Sequence, residues 1–96
     1  MFSYTVSKEA DNSAFIKACS DLEKAVKISE KKDILIDVDG TLIQIYYSDS
    51  KKIKVVNDYT VDAVYIDSEI DLKGIIISLV WKTKHNKLQY EWQHSI

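Results

Sequence analysis

The spacing of apolar residues changes period once along this chain, from 3.6 to 2, and that change restricts the folds open to it. Phe15, Cys19, Leu22 and Val26 recur at intervals of 4, 3 and 4, with Ala18 and Ala25 widening the stripe. This is a helix with one buried face. Lys17, Asp21, Lys24 and Lys27 fall away from the stripe, and Asp11, Asn12 and Ser13 can each cap the amino end, because their side-chain oxygens accept from the unpaired amides of a first turn. Lys17 with Asp21 and Glu23 with Lys27 add (i, i+4) ion pairs worth a few tenths of a kcal/mol each. The spacing predicts a helix ending near Ile28, before the polar link Ser29-Glu30-Lys31-Lys32. Ahead of it, residues 2–6 alternate and are rich in aromatic and β-branched types, which predicts a strand with Phe2, Tyr4 and Val6 on one face.

From Asp33 onward the period is 2. Asp39-Gly40 is a strong hairpin signal, since a type I′ turn needs positive φ at both central residues. Folding about that pair predicts Val38 opposite Thr41, Ile36 opposite Ile43 and Ile34 opposite Ile45, all on one face. Ser48-Asp49-Ser50-Lys51 reads as the next turn, leading to a strand at 53–56 and another at about 60–66. With a three-residue loop between those two, Val55 faces Val61 and Lys54 faces Asp62. A last hairpin, turning around Lys84-His85-Asn86, joins Ile75, Ile77, Leu79 and Trp81 to Leu88, Tyr90 and Trp92. The expectation is a single α+β domain over residues 1–96. One N-terminal helix packs on a mostly antiparallel meander sheet of about five to seven strands.

Composition narrows the function classes. With 46% hydrophobic and 29% charged residues, the chain reads as a globular protein, and no apolar run approaches the roughly 18–20 residues of a membrane span. The first residues lack a basic segment followed by an apolar stretch, so a cytoplasmic protein is expected. All 13 basic residues are Lys and the net charge is −2. Without Arg forks or an overall positive charge, neither nucleic acid nor an anionic membrane is the expected partner. A basic and stacking platform built from Lys82, Lys84, Lys87, Tyr90 and Trp92 is the weakest reading of the sequence. Cys19 lies on the helix stripe and reads as core. With His85 and His94 it forms no zinc spacing, and an EF-hand frame counted back from Gly40 would begin at Leu35 and end at Tyr46. No cofactor and no metal are expected.

One string invites an enzymatic reading. Ile34-Leu35-Ile36-Asp37-Val38-Asp39-Gly40-Thr41-Leu42 resembles the first motif of the haloacid-dehalogenase-like phosphatases. That resemblance implies a magnesium-dependent phosphatase-like enzyme with Asp37 as nucleophile and Asp39 as general acid/base. The later Ile75-Ile76-Ile77-Ser78 resembles the family's second motif, but only Glu91 follows as an acid, so its downstream acidic pair has no counterpart. A hairpin turn accounts for the same letters, and no enzymatic activity is expected.

The charge distribution points elsewhere. Residues 57–72 hold Asp58, Asp62, Asp67, Glu69 and Asp71 and no Lys, whereas residues 1–56 carry nine Lys and nine acids. Tyr59 and Tyr65 are interleaved with those carboxylates, a combination suited to a protein interface with aromatic anchors and charge steering. In its one-helix α+β layout, its Lys/Ile/Tyr-rich bias and this block, the chain resembles the small cytosolic immunity proteins of bacterial toxin–immunity pairs of the contact-dependent inhibition type. The resemblance implies a non-catalytic inhibitor; a monomer and a homodimer both remain open from the sequence. It would occlude the basic active-site surface of a partner, a toxin nuclease domain, with Asp58, Tyr59, Asp62, Tyr65, Asp67, Glu69 and Asp71.

Overall fold

Alternating burial at the amino end produces β1 (Phe2–Ser7), with Tyr4 and Val6 inside. Helix α1 (Asn12–Ala25) follows, and Asp11 is its cap, accepting from the amides of Ser13 and Ala14 at 2.8 and 3.3 Å. Five strands come next: β2 (Glu30–Lys31), β3 (Leu35–Ile36), β4 (Leu42–Ser48), β5 (Lys51–Asp58) and β6 (Ala63–Ser68). The computed structural model describes residues 1–74 and the backbone of β7 (Glu91–Gln93). Apart from that backbone, the expected carboxyl-terminal hairpin, with Ile75, Ile77, Leu79, Trp81, Leu88 and Tyr90, lies outside the described residues.

The sheet is antiparallel throughout its described pairs, in the order β2-β4-β5-β6-β1-β7, with β3 beside β2 on the same edge of β4. A helix on one face of such a sheet makes the chain α+β, as the change of period implies. Tyr4, Ile66, Val55 and Gln44 form one row across the helix-facing side, and Ser68, Ile53 and Tyr46 form the next. Against these rows α1 presents Phe15, Ala18, Cys19 and Leu22, all buried. Burying each large side chain contributes roughly 1.5–3 kcal/mol. Burial pushes the Cys19 thiol pKa up, in keeping with a core residue. Among the described residues no helix is long and apolar enough to cross a membrane.

The helix ends at Ala25, three residues short of the expected Ile28. Val26 is already extended, and Ser29 donates its amide to Tyr47 at 2.8 Å, committing the chain to the sheet edge. Lys17 pairs with Asp21 at 2.7 Å as the spacing implies. Glu23 does not take Lys27 but binds Lys31 at 3.0 Å and accepts from the Tyr46 hydroxyl. Those two bonds, the tyrosine's the larger, hold the Glu23 carboxyl below its ordinary value.

Two registers differ from expectation. At the Asp39-Gly40 turn, Leu35 stands opposite Ile43 and Ile36 opposite Leu42, one residue away from the type I′ frame. The loop has three residues, Val38-Asp39-Gly40, closed by bonds from Asp37 N to Thr41 O and from Gly40 N to Asp37 O at 2.9 and 3.0 Å. In that loop only Gly40 needs positive φ (89°), whereas a type I′ turn would force Asp39 there as well. The type I′ geometry occurs instead at Asp49-Ser50, with φ of 48° and 67°, in the turn expected at 48–51. Between β5 and β6 the loop has four residues rather than three, so Asp58 faces Ala63, Lys54 faces Asp67 and Val55 faces Ile66. The cause is the Asp58 carboxylate, which binds Thr60 N and Thr60 Oγ1 at 2.9 and 2.5 Å and delays the start of β6.

Asn57, fully buried, ties helix to sheet: its Oδ1 accepts from Asp11 N at 3.0 Å and its Nδ2 donates to Asn12 Oδ1 at 2.8 Å. Truncation would leave the Asp11 amide and the Asn12 oxygen without this partner, which costs about 1–3 kcal/mol. We therefore expect Asn57→Ala to lower unfolding free energy by about 2 kcal/mol in urea. Glu9→Gln, at an exposed position, should stay within about 0.5 kcal/mol of the parent.

Candidate functional site

In a meander, alternate hairpin turns lie at the same end of the sheet. The β3–β4 loop and the β5–β6 loop therefore share one end, and the short segment from β1 into α1 returns to it. Direct bonds join all three. Asp62 Oδ1 accepts from Ala10 N at 2.8 Å, Tyr59 N donates to Thr41 Oγ1 at 3.2 Å, and Tyr59 Oη donates to Asn12 Oδ1 at 3.1 Å. Tyr59 is 45% exposed, and its ring lies over Gly40, 3.8 Å from where a Cβ there would stand. Val61 beside it is 63% exposed. Stretches 8–13, 37–41 and 58–62 contain Glu9, Asp11, Asp37, Asp39, Asp58 and Asp62 against Lys8 alone. The result is an acidic pole around a partly exposed aromatic ring.

The carboxylates are held in place by their own turns. Asp11 caps α1, Asp37 accepts from Val38 N at 2.7 Å, and Asp39 accepts from Thr41 N at 3.0 Å. Asp58 also accepts from the Tyr65 hydroxyl at 3.2 Å. Its carboxyl is held below its ordinary range, chiefly by the Thr60 hydroxyl, then by backbone amides and Tyr65. Asp62 has φ 53°, a left-handed conformation that Asp and Asn tolerate better than most residues. Among the described residues no three Cys, His, Asp or Glu side chains are grouped so as to hold a metal ion. The Asp37-Val38-Asp39 string is an exposed turn between antiparallel strands, with both carboxylates on turn amides.

The 57–72 block does not form one surface. Asp58, Tyr59 and Asp62 belong to the pole. Tyr65 and Asp67 lie along the sheet face away from α1, where Asp67 accepts from Ser3 Oγ at 2.5 Å and stands opposite Lys54. Glu69 is at the far end of β6, accepting from Lys52 N at 2.6 Å. Asp71, exposed beyond that end, accepts from the hydroxyl of the buried Tyr4 at 3.2 Å and from Lys73 N at 3.0 Å. β6 spans roughly 20 Å at its strand rise, and that distance separates the two ends of the block. Residue order suggested a continuous patch because an acidic run in sequence was equated with an acidic surface in space. Glu9, Asp11, Asp37 and Asp39 join the pole for the converse reason: they are scattered in sequence, and reading Asp11 as a cap and Asp37 and Asp39 as a phosphatase-like pair does not show that the fold brings them to one end. The signal that could have found them was turn chemistry, since capping and turn-forming acids belong at loop tips and the meander sorts those tips to one end.

No protein-family model matches the chain, and no curated protein or solved structure matches it either.

The Asp58–Tyr65 bond has a spectroscopic consequence. Burial, then the Asp58 charge and hydrogen bond, then the Asp67 charge push the Tyr65 phenol up from 10.0 to about 12. Because the folded pKa is raised, this contribution to stability is complete below about pH 10 and is lost as pH rises through about 12. Phenolate absorbance, with Tyr65→Phe as the subtraction control, should place this titration near 12. Asp58→Asn should bring it down without reaching 10.0, since burial remains.

Proposed function

We propose that the chain is a non-catalytic binding protein of the toxin–immunity kind, docking through its acidic pole on a basic protein surface and blocking it. The observation that carries this reading is the pole itself: six carboxylates from three loops, one lysine, and an exposed tyrosine between them. Charge of one sign steers association with a basic partner, and the tyrosine supplies an amphipathic anchor to bury once contact is made. Because Asp37, Asp39, Asp58 and Asp62 are already bound to backbone amides, little ordering entropy is left to lose on docking. A nuclease domain is the partner class that fits best, since it must be basic where it holds a phosphate backbone, and carboxylates placed there compete with substrate. Action is by occlusion, without turnover, in the cytoplasm where such a toxin would act. Asp67, Glu69 and Asp71 have no part in this contact. Asp67 and Glu69 stand beside β5 lysines, and Asp71, itself exposed, lies past the far end of β6.

The test is capture from the native host with the tagged chain. A basic polypeptide should co-purify at equal stoichiometry, and its retention should fall between about 0.05 and 0.3 M salt. The variant E9Q/D58N/D62N removes three charges while leaving amide oxygens to accept the same backbone bonds, so it should fold normally. We expect it to weaken capture at least about tenfold. Equal capture by this variant with the same salt dependence would overturn the proposal.

A further inference from the structure

Asp39-Gly40 is the only place in the chain where an acid precedes a glycine; every other Asp, and each Asn, is followed by a residue with a side chain. That pairing has a covalent consequence. The backbone nitrogen after an Asp can close a five-membered ring on the Asp carboxyl carbon, and a glycine there neither shields the nitrogen nor restricts the φ of its approach. The Gly40 nitrogen gives up its proton and bonds Asp39 Cγ, the Cγ–O bond breaks, and that oxygen leaves as water with the amide proton and one from solvent. Water then opens the ring. Opening at Cγ restores Asp39, whereas opening at the former main-chain carbonyl routes the backbone through Cβ and leaves the α-carboxylate as the side group. Water is the only other reactant.

The folded loop holds both reacting groups elsewhere. Gly40 N donates to Asp37 O at 3.0 Å, Asp39 Oδ1 accepts from Thr41 N at 3.0 Å, and the Tyr59 ring lies over Gly40. Attack requires the first two bonds to break. What anchors the loop is slight. β3 has two residues, paired only as Leu35 with Ile43 and Ile36 with Leu42. It forms an aliphatic edge of the sheet, where Ile34, Leu35, Ile36 and Val38 are exposed at 48%, 53%, 72% and 104%. With so little apolar area buried to hold it shut, the hairpin opens at a smaller cost than the whole chain. Asp39 itself is exposed, so water reaches the ring once it has formed.

We infer that Asp39 is a site of spontaneous isoaspartate formation in the folded protein, gated by local opening of the β3–β4 hairpin rather than by unfolding of the chain. The product does not fit the turn that gives rise to it. It adds one carbon to the backbone of a three-residue loop whose length sets Ile36 opposite Leu42, and it withdraws the carboxylate that bonds Thr41 N. The number of charges at the pole is unchanged, but one of them leaves its turn amide. The inference draws on the chemistry of this loop alone and stands whether or not the pole has a partner.

The test is incubation of the full chain at neutral pH, with isoaspartyl methyltransferase labelling to count the product and fragmentation mass spectrometry to place it. Label should accumulate at residue 39 ahead of every other acid. Its rate should be at least about tenfold below that of the same chain unfolded in guanidinium chloride, because the bonded loop is open for only a small fraction of the time. Ile53→Val, buried at the opposite end of β5, lowers global stability, so it would raise the rate about fivefold if whole-chain unfolding carried the reaction. With local opening it should stay within about twofold of the parent. Asp39→Glu keeps the charge but would need a six-membered ring, and should abolish the label at that position. Asp39→Asn, whose neutral amide is the better electrophile, should reach the same ring with loss of ammonia and convert faster. A native rate equal to the unfolded one, a fivefold rise in Ile53→Val, earlier label at another acid, or no label at residue 39 of the native chain once the unfolded chain has converted would each overturn the inference.

Discussion

Aspartate carboxylates that accept from the amides of their own turns decide how this chain is folded. Asp11 does so at the start of the helix, Asp37 and Asp39 at the first hairpin, and Asp58 at the third. Each such bond lets a turn meet its amide requirements locally, with no demand on the neighbouring strand. Loop length follows from it, and loop length sets register. Because side chains alternate along a strand, register decides which residues reach the core. The three-residue loop at Val38-Asp39-Gly40 thus places Ile36 opposite Leu42 and leaves it in solvent. The four-residue loop after Asp58 brings Val55 opposite Ile66 in the middle of the core.

What could be read from residue order divides along the same line. The change of period identifies the helix and the strand region, and the helix stripe Phe15, Ala18, Cys19 and Leu22 is the buried face. These are properties of one element, set by where its own apolar residues fall. Registers join two elements, and they turn on hydrogen bonds of about 1 kcal/mol that a pattern of letters does not display. A type I′ turn and a three-residue loop are both compatible with Asp-Gly. The choice rests on whether Asp39 adopts positive φ, and here Gly40 alone does so. The helix ends before the apolar spacing does for a related reason: Val26 and Ile28 pack against the core outside the helix, so that spacing cannot mark the boundary.

The acidic surface shows the limit of one-dimensional charge reading more sharply. A run of five carboxylates in residues 57–72 is divided in space by strand β6, on which Asp67 stands opposite Lys54. Acids far apart in the chain, at positions 9, 11, 37, 39, 58 and 62, come to one end because hairpin turns in a meander alternate ends. Topology, rather than local composition, concentrates the charge. Asn57 holds that arrangement from below, since its amide joins the cap residues Asp11 and Asn12 to the strand that leads into the Asp58 loop.

The acidic pole and the aliphatic edge meet in one loop. Asp37 and Asp39 contribute charge to the pole, while Ile36 before them and Val38 between them belong to the edge. The short distance between the two surfaces follows from the turn itself, because alternation places aspartates on turn amides and leaves the intervening aliphatic side chains outward. Residues 36–39 are therefore where the two surfaces meet. Substitutions at Glu9, Asp58 or Asp62 change the pole alone, and those at Ile34 or Leu35 change the edge alone. The two surfaces are physically adjacent but can be altered separately, because each also draws on residues from a part of the chain that the other does not use.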